Sequence, residues 1–393
     1  MCKLRIKNFG PIRDGCTDLP DGFFPIGALT IFVGNQGAGK STIAKLFASF
    51  VWLEKALIIG KLSKKEVETQ AFIKYLLSYH KIYSFLYDDS IIEYRSEYYY
   101  IQIREKRIKI KVIHETEFNR PQIQYIPSER NLVAVIDRFA QLPLLPDSMR
   151  EFLYVYDEVI NNAFFNDYIL PIENLNIRYN KRRNKIELYS DDYHVYLNEA
   201  ASGFQSAVPL YMITKYFTDV IQRQGYEYKF KNLLEEKAII TEYNRLNNNS
   251  ISFHDFFLRK LNTCFYNIVE EPEQNLFPNS QKNIVLFLIE CMNSNKNNKL
   301  VLTTHSPYVL ETINNSIYAE SLQRQGKNAE ILVPKKHQIS YDSVFAYVVK
   351  NGEIKSINDS EINQINPNEI DVCSQEINNI YESLTELEFP NED

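Results

Sequence analysis

The stretch Leu29-Thr30-Ile31-Phe32-Val33-Gly34-Asn35-Gln36-Gly37-Ala38-Gly39-Lys40-Ser41-Thr42 places the pattern GxxxxGKS directly after a short apolar, β-branched run. A backbone that curls through Gly34, Gly37 and Gly39 can turn its N–H groups inward and cradle phosphate oxygens. Lys40 then reaches the β- and γ-phosphates, and the Ser41 hydroxyl is placed to ligate Mg²⁺. Gly34, Asn35, Gln36, Gly37, Ala38, Gly39, Lys40, Ser41 and Thr42 are therefore the candidate nucleotide-binding residues, with ATP and Mg²⁺ as the expected cofactors. Two later clusters could complete such a site. Tandem carboxylates, Glu270-Glu271, follow the apolar run Asn267-Ile268-Val269. At a strand end one carboxylate can serve the metal shell, here Glu270, and the next can polarise an attacking water, here Glu271. Downstream, Lys299-Leu300-Val301-Leu302-Thr303-Thr304-His305-Ser306-Pro307 brings His305 to the end of another apolar run, in reach of a γ-phosphate,.

These residues need elements to hold them. The P-loop calls for a strand before it and a helix after it, and residues 43–53 have the composition for that helix. The runs ending at Glu270 and Thr304 read as buried parallel strands of one α/β sheet, whose carboxyl edge collects ligands.

The order and spacing resemble the ATPase head of the ABC superfamily, in the SMC-like, OLD-like branch of prokaryotic AAA-labelled ATPases. Glu271-Pro272-Glu273 with Leu276-Phe277-Pro278 resembles that branch's EEPE-x-x-L-x-P segment, and Thr303-Thr304-His305-Ser306-Pro307 its switch-histidine segment. Ala201-Ser202-Gly203-Phe204-Gln205-Ser206 resembles the ABC signature, and Gln124-Tyr125-Ile126-Pro127-Ser128-Glu129-Arg130 the Y-I-P-x-x-R segment near the Q-loop. The resemblance implies an ABC-type P-loop ATPase head, a mixed β-sheet core flanked by helices, over residues 1–355. Gln124 becomes a metal-site candidate, with Gln122 also available for the Q-loop. Ser202, Gly203 and Gln205 would bind nucleotide held by a second copy's Lys40. A homodimer or higher homo-oligomer that sandwiches ATP is therefore expected, with Glu271, His305 and Lys40 catalytic. The sequence departs from the common pattern in carrying Glu270 for Asp, no Leu-Ser before Ser202, and Phe277 in place of a His.

The remaining chain reads as insertions at about 61–120, 150–196 and 217–260, the last a helical one near the signature, followed by an acidic tail at 356–393. Arg107, Lys109 and Lys111 share one face of an alternating strand, and Asn180-Lys181-Arg182-Arg183-Asn184 forms a basic hairpin tip,. Residues 244–250 are an Asn-rich break, and residues 377–387 have the pattern of a short amphipathic helix.

The chain has 393 residues and a net charge of −6, yet the ten acidic residues of its tail have no Lys or Arg among them. Without that tail the body is net positive, which leaves room for nucleic-acid contact. Five scattered cysteines with no CxxC pair read as reduced thiols, and no run is long enough to span a bilayer, so a cytoplasmic protein is expected,. No HExxH, GxSxG or DxD metal cluster accompanies the P-loop set. Stand-alone heads of this branch resemble the ATPase components of bacterial anti-phage or toxin-antitoxin-like systems such as PARIS, Septu and retron modules. Such heads control a separate nuclease or toxin. The competing expectations are a DNA repair or recombination ATPase that binds DNA directly, a transporter subunit, and a scaffold without turnover.

Overall fold

The computed structural model describes residues 1–114, 119–135, 145–161, 168–224, 262–366 and 379–380. Strand β1 (Cys2–Phe9) alternates buried Cys2, Leu4 and Ile6 with outward Lys3, Arg5 and Lys7. After β2 (Gly15–Cys16) and β3 (Phe24–Ile26), β4 (Leu29–Val33) is buried at every position, as a strand covered on both faces must be,. It leads into α1 (Lys40–Ile58), which starts one residue after Gly39 and outruns the expected helix at both ends. Helices α2 (Lys64–Val67) and α3 (Gln70–Ser78) precede three strands, β5 (Leu86–Arg95), β6 (Tyr99–Arg104) and β7 (Arg107–Val112).

These strands tie residues 86–112 into the N-terminal sheet. β5 pairs antiparallel with β1, giving a five-stranded sheet β3-β1-β5-β6-β7. Its inner face is part of the core: Tyr94 stacks on Phe50 of α1 at 5.6 Å, and its hydroxyl donates to Glu54 at 2.6 Å. Buried Glu54 is pushed up to about 7 by desolvation.

The chain continues through β8 (Pro121–Ile126), α4 (Leu132–Val135) and α5 (Asp147–Asn161) to a four-stranded sheet. That sheet comprises β9 (Tyr168–Ile169), β10 (Asn176–Asn180), β11 (Lys185–Tyr189) and β12 (His194–Tyr196). The basic-tipped hairpin forms with Asn180 paired to Lys185. Phe152 of α5 and Leu188 of β11 are fully buried in the main core, so α5 and β11 belong to it. Helix α6 (Ser202–Gln224) carries residues 217–224 as a continuation of the signature helix. The helical insertion expected beyond it, its Asn-rich break and the helix expected at 377–387 lie outside the described residues.

Strand β13 (Cys264–Glu270), α7 (Pro278–Asn293), β14 (Lys299–Thr304), α8 (Pro307–Arg324), β15 (Val344–Lys350) and β16 (Glu353–Ser356) complete the main sheet, ordered β2-β16-β15-β4-β14-β13-β8. Strands β15, β4, β14, β13 and β8 run parallel to one another, and β16 is antiparallel to β15. Alternate residues of the sheet feed two cores. Leu29, Ile31 and Val33 face helices α5 to α8, whereas Phe32 and Val301 face α1 and the N-terminal sheet,.

The tail begins later than the charge pattern suggests. Of two short strands, β17 (Asn358–Asp359) lies against β15 and β18 (Gln364–Ile365) folds back on α8. There Asn314 exchanges two hydrogen bonds of 2.8 Å with the Ile365 backbone. Ile357 and Ile365 are core residues. No helix among the described residues is long and apolar enough to cross a membrane.

Candidate nucleotide site

The turn between β4 and α1 is built from positions where a side chain cannot stand. Gly34 has φ 144°, and a Cβ there would lie 2.2 Å from the Val349 carbonyl oxygen. Gly39 has φ 113°, and its Cβ would meet Ile12 Cδ1 at 2.6 Å. Both sterics and backbone conformation therefore demand glycine. Asn35, Gln36 and Gly37 are exposed, with Ala38 behind them, and α1 presents its amino-terminal N–H groups through Lys40, Ser41 and Thr42,. Lys40 is buried, and its Nζ donates to the carbonyls of Gly34 at 2.7 Å and Asn35 at 3.0 Å. Burial pushes this ammonium down, opposed by the nearby carboxylates Glu271, Glu273 and Glu270.

Beside the loop lies a groove of about 500 Å³, bounded by Gly10, Pro11, Arg13, residues 35–38 and residues 349–352. Its far wall is the turn between β15 and β16. Sequence reading missed Arg13, because residues so distant in the chain meet only on folding, through the bond from its N–H to the Gly352 carbonyl, 2.9 Å, and the pairing of β2 with β16.

The parallel register delivers the acidic and switch segments to the same edge. Glu270 pairs with Thr303, and Thr304 with Val33, the last residue before the P-loop. Glu270 is buried; the Ser128 N–H donates to its Oε2 at 3.4 Å, and its Oε1 has no hydrogen-bond partner among the described residues. Thr303 Oγ1 is buried and unpartnered in the same way. Unspent oxygens beside Ser41's helix end suit a hard cation, and Mg²⁺ typically takes one or two protein oxygens and completes its shell with phosphate and water. Among the described residues no three His, Cys, Asp or Glu side chains cluster as an all-protein metal site. The donor set thus fits Mg²⁺ arriving with a nucleotide, which Ser41 and Glu270 could hold.

Glu271 adopts φ 45°, a left-handed conformation that a non-glycine residue holds at a cost,. Its N–H donates to the Thr303 carbonyl at 2.8 Å, which fixes the turn. The result aims its carboxylate at His305, with Oε1 and Nε2 3.3 Å apart. That hydrogen bond holds Glu271 below the usual carboxylate range against the opposing effect of burial. A side chain kept ionised next to an imidazole has the chemistry to accept a proton from water.

Two supporting residues carry this geometry, and neither was assigned a role from sequence. Buried Glu273 accepts from Thr304 Oγ1 at 2.8 Å and from the His305 N–H at 2.7 Å, so it sets the switch segment. Burial raises its pKa. Arg130 is completely buried and donates to the carbonyls of Glu270 and Glu271, both at 2.6 Å, Pro127 at 3.2 Å, and Ser206 at 3.1 Å. One guanidinium therefore ties the acidic turn to the signature helix. Its signal was the Arg at the end of the Y-I-P-x-x-R segment, visible but without a partner until the chain folds.

The signature residues occupy another place. α6 starts at exposed Ser202, and a Cβ on Gly203 would sit 2.8 Å from the Asn275 carbonyl oxygen, so glycine permits the helix to abut the acidic turn. Gln205 turns its amide back to the Ala200 carbonyl at 3.0 Å, a local cap. Among the described residues no hydrogen bond joins Ser202, Gly203 or Gln205 to the P-loop. Gln124 lies within β8. It pairs with Asn267, three residues before Glu270 on β13, and its amide donates to the Tyr125 carbonyl at 3.1 Å. Pro127 and Ser128 lie nearer the sheet edge that carries Glu270.

Residues 142–310 match the AAA ATPase domain family, a span that holds α6, the acidic turn and the switch histidine and covers less than half of the chain. The chain's mixed α/β fold carries the P-loop turn between β4 and α1, ahead of that span. No curated protein matches it in sequence. Among solved structures it is similar to the SMC head domain from Thermotoga maritima, at 13% identity over 90% of this chain and 97% of that one, TM-score 0.38. An Smc head bound to the C-terminal domain of ScpA, from Pyrococcus furiosus, matches at 10% identity over 91% and 96%, TM-score 0.33. A dimeric ATP-binding cassette in a post-hydrolysis state with ADP and Pi matches at 10% identity over 90% and 96%, TM-score 0.27. None reaches a TM-score of 0.5, and no role is assigned from them.

Proposed function

We propose that this ATPase is a dimerising switch, in which ATP held by Lys40 and the P-loop of one copy is closed over by Ser202 and Gly203 of another. The observation that carries the reading is the division within one chain. Lys40, Glu270, Glu271 and His305 converge at one sheet edge, while the exposed start of α6 has no bond to them. The amino-terminal end of α6 offers N–H groups and a favourable dipole to a phosphate brought from outside. An isologous pair would satisfy both surfaces at once.

A mixing experiment tests it. Lys40→Ala should weaken ATP binding roughly tenfold to a hundredfold, by loss of a charge-assisted contact. Ser202→Arg should leave binding intact and abolish turnover. Mixed, the two inactive chains form one site with an intact P-loop facing an intact signature, so ATPase activity should return. No recovery at any ratio would mean that each chain works alone.

The output of the switch is proposed to reach a separate effector, a nuclease or toxin, as in anti-phage or toxin-antitoxin-like modules. Support comes from the quoted resemblance and from the lack of a second catalytic motif in the sequence. Co-purification of the native chain with its neighbouring reading frames and ATP, followed by intact-complex mass measurement, tests for a stoichiometric effector.

A second reading, direct nucleic-acid binding, is favoured by one feature. The outer face of the five-stranded sheet presents paired rows Lys3-Arg95-Tyr100-Lys111, Arg5-Glu93-Gln102-Lys109 and Lys7-Ile91-Arg104-Arg107. The one carboxylate in these rows, Glu93, is buried and bridged by Arg5 at 3.2 Å and Arg104 at 2.9 Å. The basic strand seen in the sequence is thus the edge of a much wider basic face, in a protein of net charge −6. If duplex DNA lies there, Lys109→Glu with Lys111→Glu should weaken binding and flatten the slope of log K against log salt by about 2. An unchanged slope would remove this reading.

A further inference from the structure

The basic hairpin tip belongs to a four-stranded antiparallel sheet whose outer face carries rings as well as cations. Alternation turns Ile177, Ile186 and Leu188 into the core, which sets Arg178, Lys185 and Tyr189 on the opposite face,. The register pairs Tyr189 with His194 and Glu187 with Tyr196, so β12 adds a histidine and a second tyrosine to that face. His194 is exposed, and Tyr189 and Tyr196 are partly so. Cations lie over the rings. The Arg178 guanidinium is 4.9 Å from the centre of the Tyr189 ring, and Arg183 and Lys185 are 5.5 Å and 5.0 Å from that of Tyr196. The tip is ordered by Asn180, whose Oδ1 accepts from the N–H groups of Arg182 at 3.1 Å and Arg183 at 3.2 Å. Lys181, Arg182 and Arg183 are all exposed there.

Negative charge is kept away from the tip. The one carboxylate in strands β9 to β12, Glu187, is buried and accepts from Arg178 Nε at 2.8 Å and Asn180 Nδ2 at 2.7 Å, with His194 Nε2 3.6 Å away. Glu199 is engaged by Lys185 at 3.7 Å. Asp191 and Asp192 stand in the turn between β11 and β12, at the opposite end of β11 from the tip. We propose that this face binds single-stranded nucleic acid, with phosphates on the cations of the tip and bases stacked on the rings. Cations alone would suit any polyanion, but rings beside them fit a ligand that alternates anionic and aromatic groups. A duplex keeps its base faces inside the stack, and an acidic peptide has none to offer, so either would leave the rings unused.

The face adjoins the signature segment. β12 ends at Tyr196, and α6 begins at Ser202. Tyr193, in the turn before β12, packs on Phe204 of α6 with ring centroids 6.4 Å apart. Gln205 of α6 donates back to the Ala200 carbonyl at 3.0 Å. A strand lying on the face therefore touches the element that delivers Ser202 and Gly203. The surface is separate from the basic face of β1, β5, β6 and β7, and binding to it depends neither on duplex contact there nor on two copies sharing ATP.

The test uses the full chain with fluorescein-labelled oligodeoxythymidylate and oligouridylate of about twelve nucleotides, read by anisotropy over a range of salt. A duplex of equal length and polyglutamate are the comparisons. Saturable binding of a single strand is expected, roughly tenfold tighter than of the duplex, and the tighter of the two probes tells DNA from RNA. Lys181→Ala with Arg182→Ala, in an exposed turn, should weaken binding and flatten the slope of log K against log salt by about 1.4. Tyr189→Leu should weaken binding roughly tenfold with the slope unchanged, because it removes stacking and no charge. His194→Ala, at an exposed position, should weaken it in the same way without burdening the fold. Lys109→Glu with Lys111→Glu, on the other sheet, should leave single-strand binding as it is. Equal affinity for the duplex, or displacement by polyglutamate at equal charge, would overturn the proposal. So would wild-type binding by both ring variants, or a loss confined to the Lys109 and Lys111 variant.

Discussion

Glu271→Gln is expected to bind ATP and stall. The substitution keeps size and shape but removes the carboxylate that stands 3.3 Å from His305 Nε2. An amide cannot accept the proton of an attacking water, and loss of a general base typically costs about 100- to 10 000-fold in rate. Lys40, the P-loop glycines and Ser41 are untouched, so nucleotide affinity should stay within a few-fold of wild type. If ATP is the bond between two copies, the variant should accumulate as a dimer that wild type forms only transiently. Single-turnover hydrolysis beside sedimentation velocity with ATP and Mg²⁺ reads both quantities. A variant that fails to bind ATP would move Glu271 from the reaction to binding, and one that turns over normally would remove it from the site altogether.

The second large effect is expected from Arg130→Met, a change outside the reacting groups. The guanidinium is fully buried, and it pairs four carbonyls on three segments: Pro127, Glu270 with Glu271, and Ser206. Methionine fills similar volume but leaves those carbonyls without donors in a dry interior. Removing one partner of such a buried charged network typically costs about 3–5 kcal/mol. The turn that aims Glu271 at His305 loses its anchor at the same time. We expect a lower urea midpoint and a larger fall in kcat than in ATP affinity. Arg130→Lys should restore stability only in part, because an ammonium cannot reproduce a planar fork reaching several carbonyls. If Arg130→Met kept both the urea midpoint and kcat, the bridge from acidic turn to signature helix would carry no weight.

The chemistry was legible where adjacent residues in the chain act together. Residues 34–42 bind as one loop, so their spacing alone named the cradle, and the strand before and helix after it formed as the local pattern required. The tandem Glu270-Glu271 and the His305 segment were legible for a related reason, since each sits at the end of an apolar run long enough to be a buried strand. Alternation likewise gave the faces of β7.

Other features depended on distance in the chain. No local signal in residues 61–120 says that β5 will pair with β1, more than eighty residues earlier. Residues 356–366 looked like solvated tail because their charge hides Ile357 and Ile365, which only the packing against α8 turns into core. Nor does one say that Gln124 will pair with Asn267 of β13.

The sequence by itself thus determined a P-loop phosphate cradle, a pair of carboxylates and a histidine, because each depends on contacts within a few residues. The tertiary structure decided which carboxylate faces the histidine, through the left-handed turn at Glu271 held by the Thr303 carbonyl. It also decided that Arg130 and Glu273 support the site and that the cations of β1, β5, β6 and β7 merge into one face. Hydrogen bonds and registers between segments tens to hundreds of residues apart set these features, and no period in the chain encodes them.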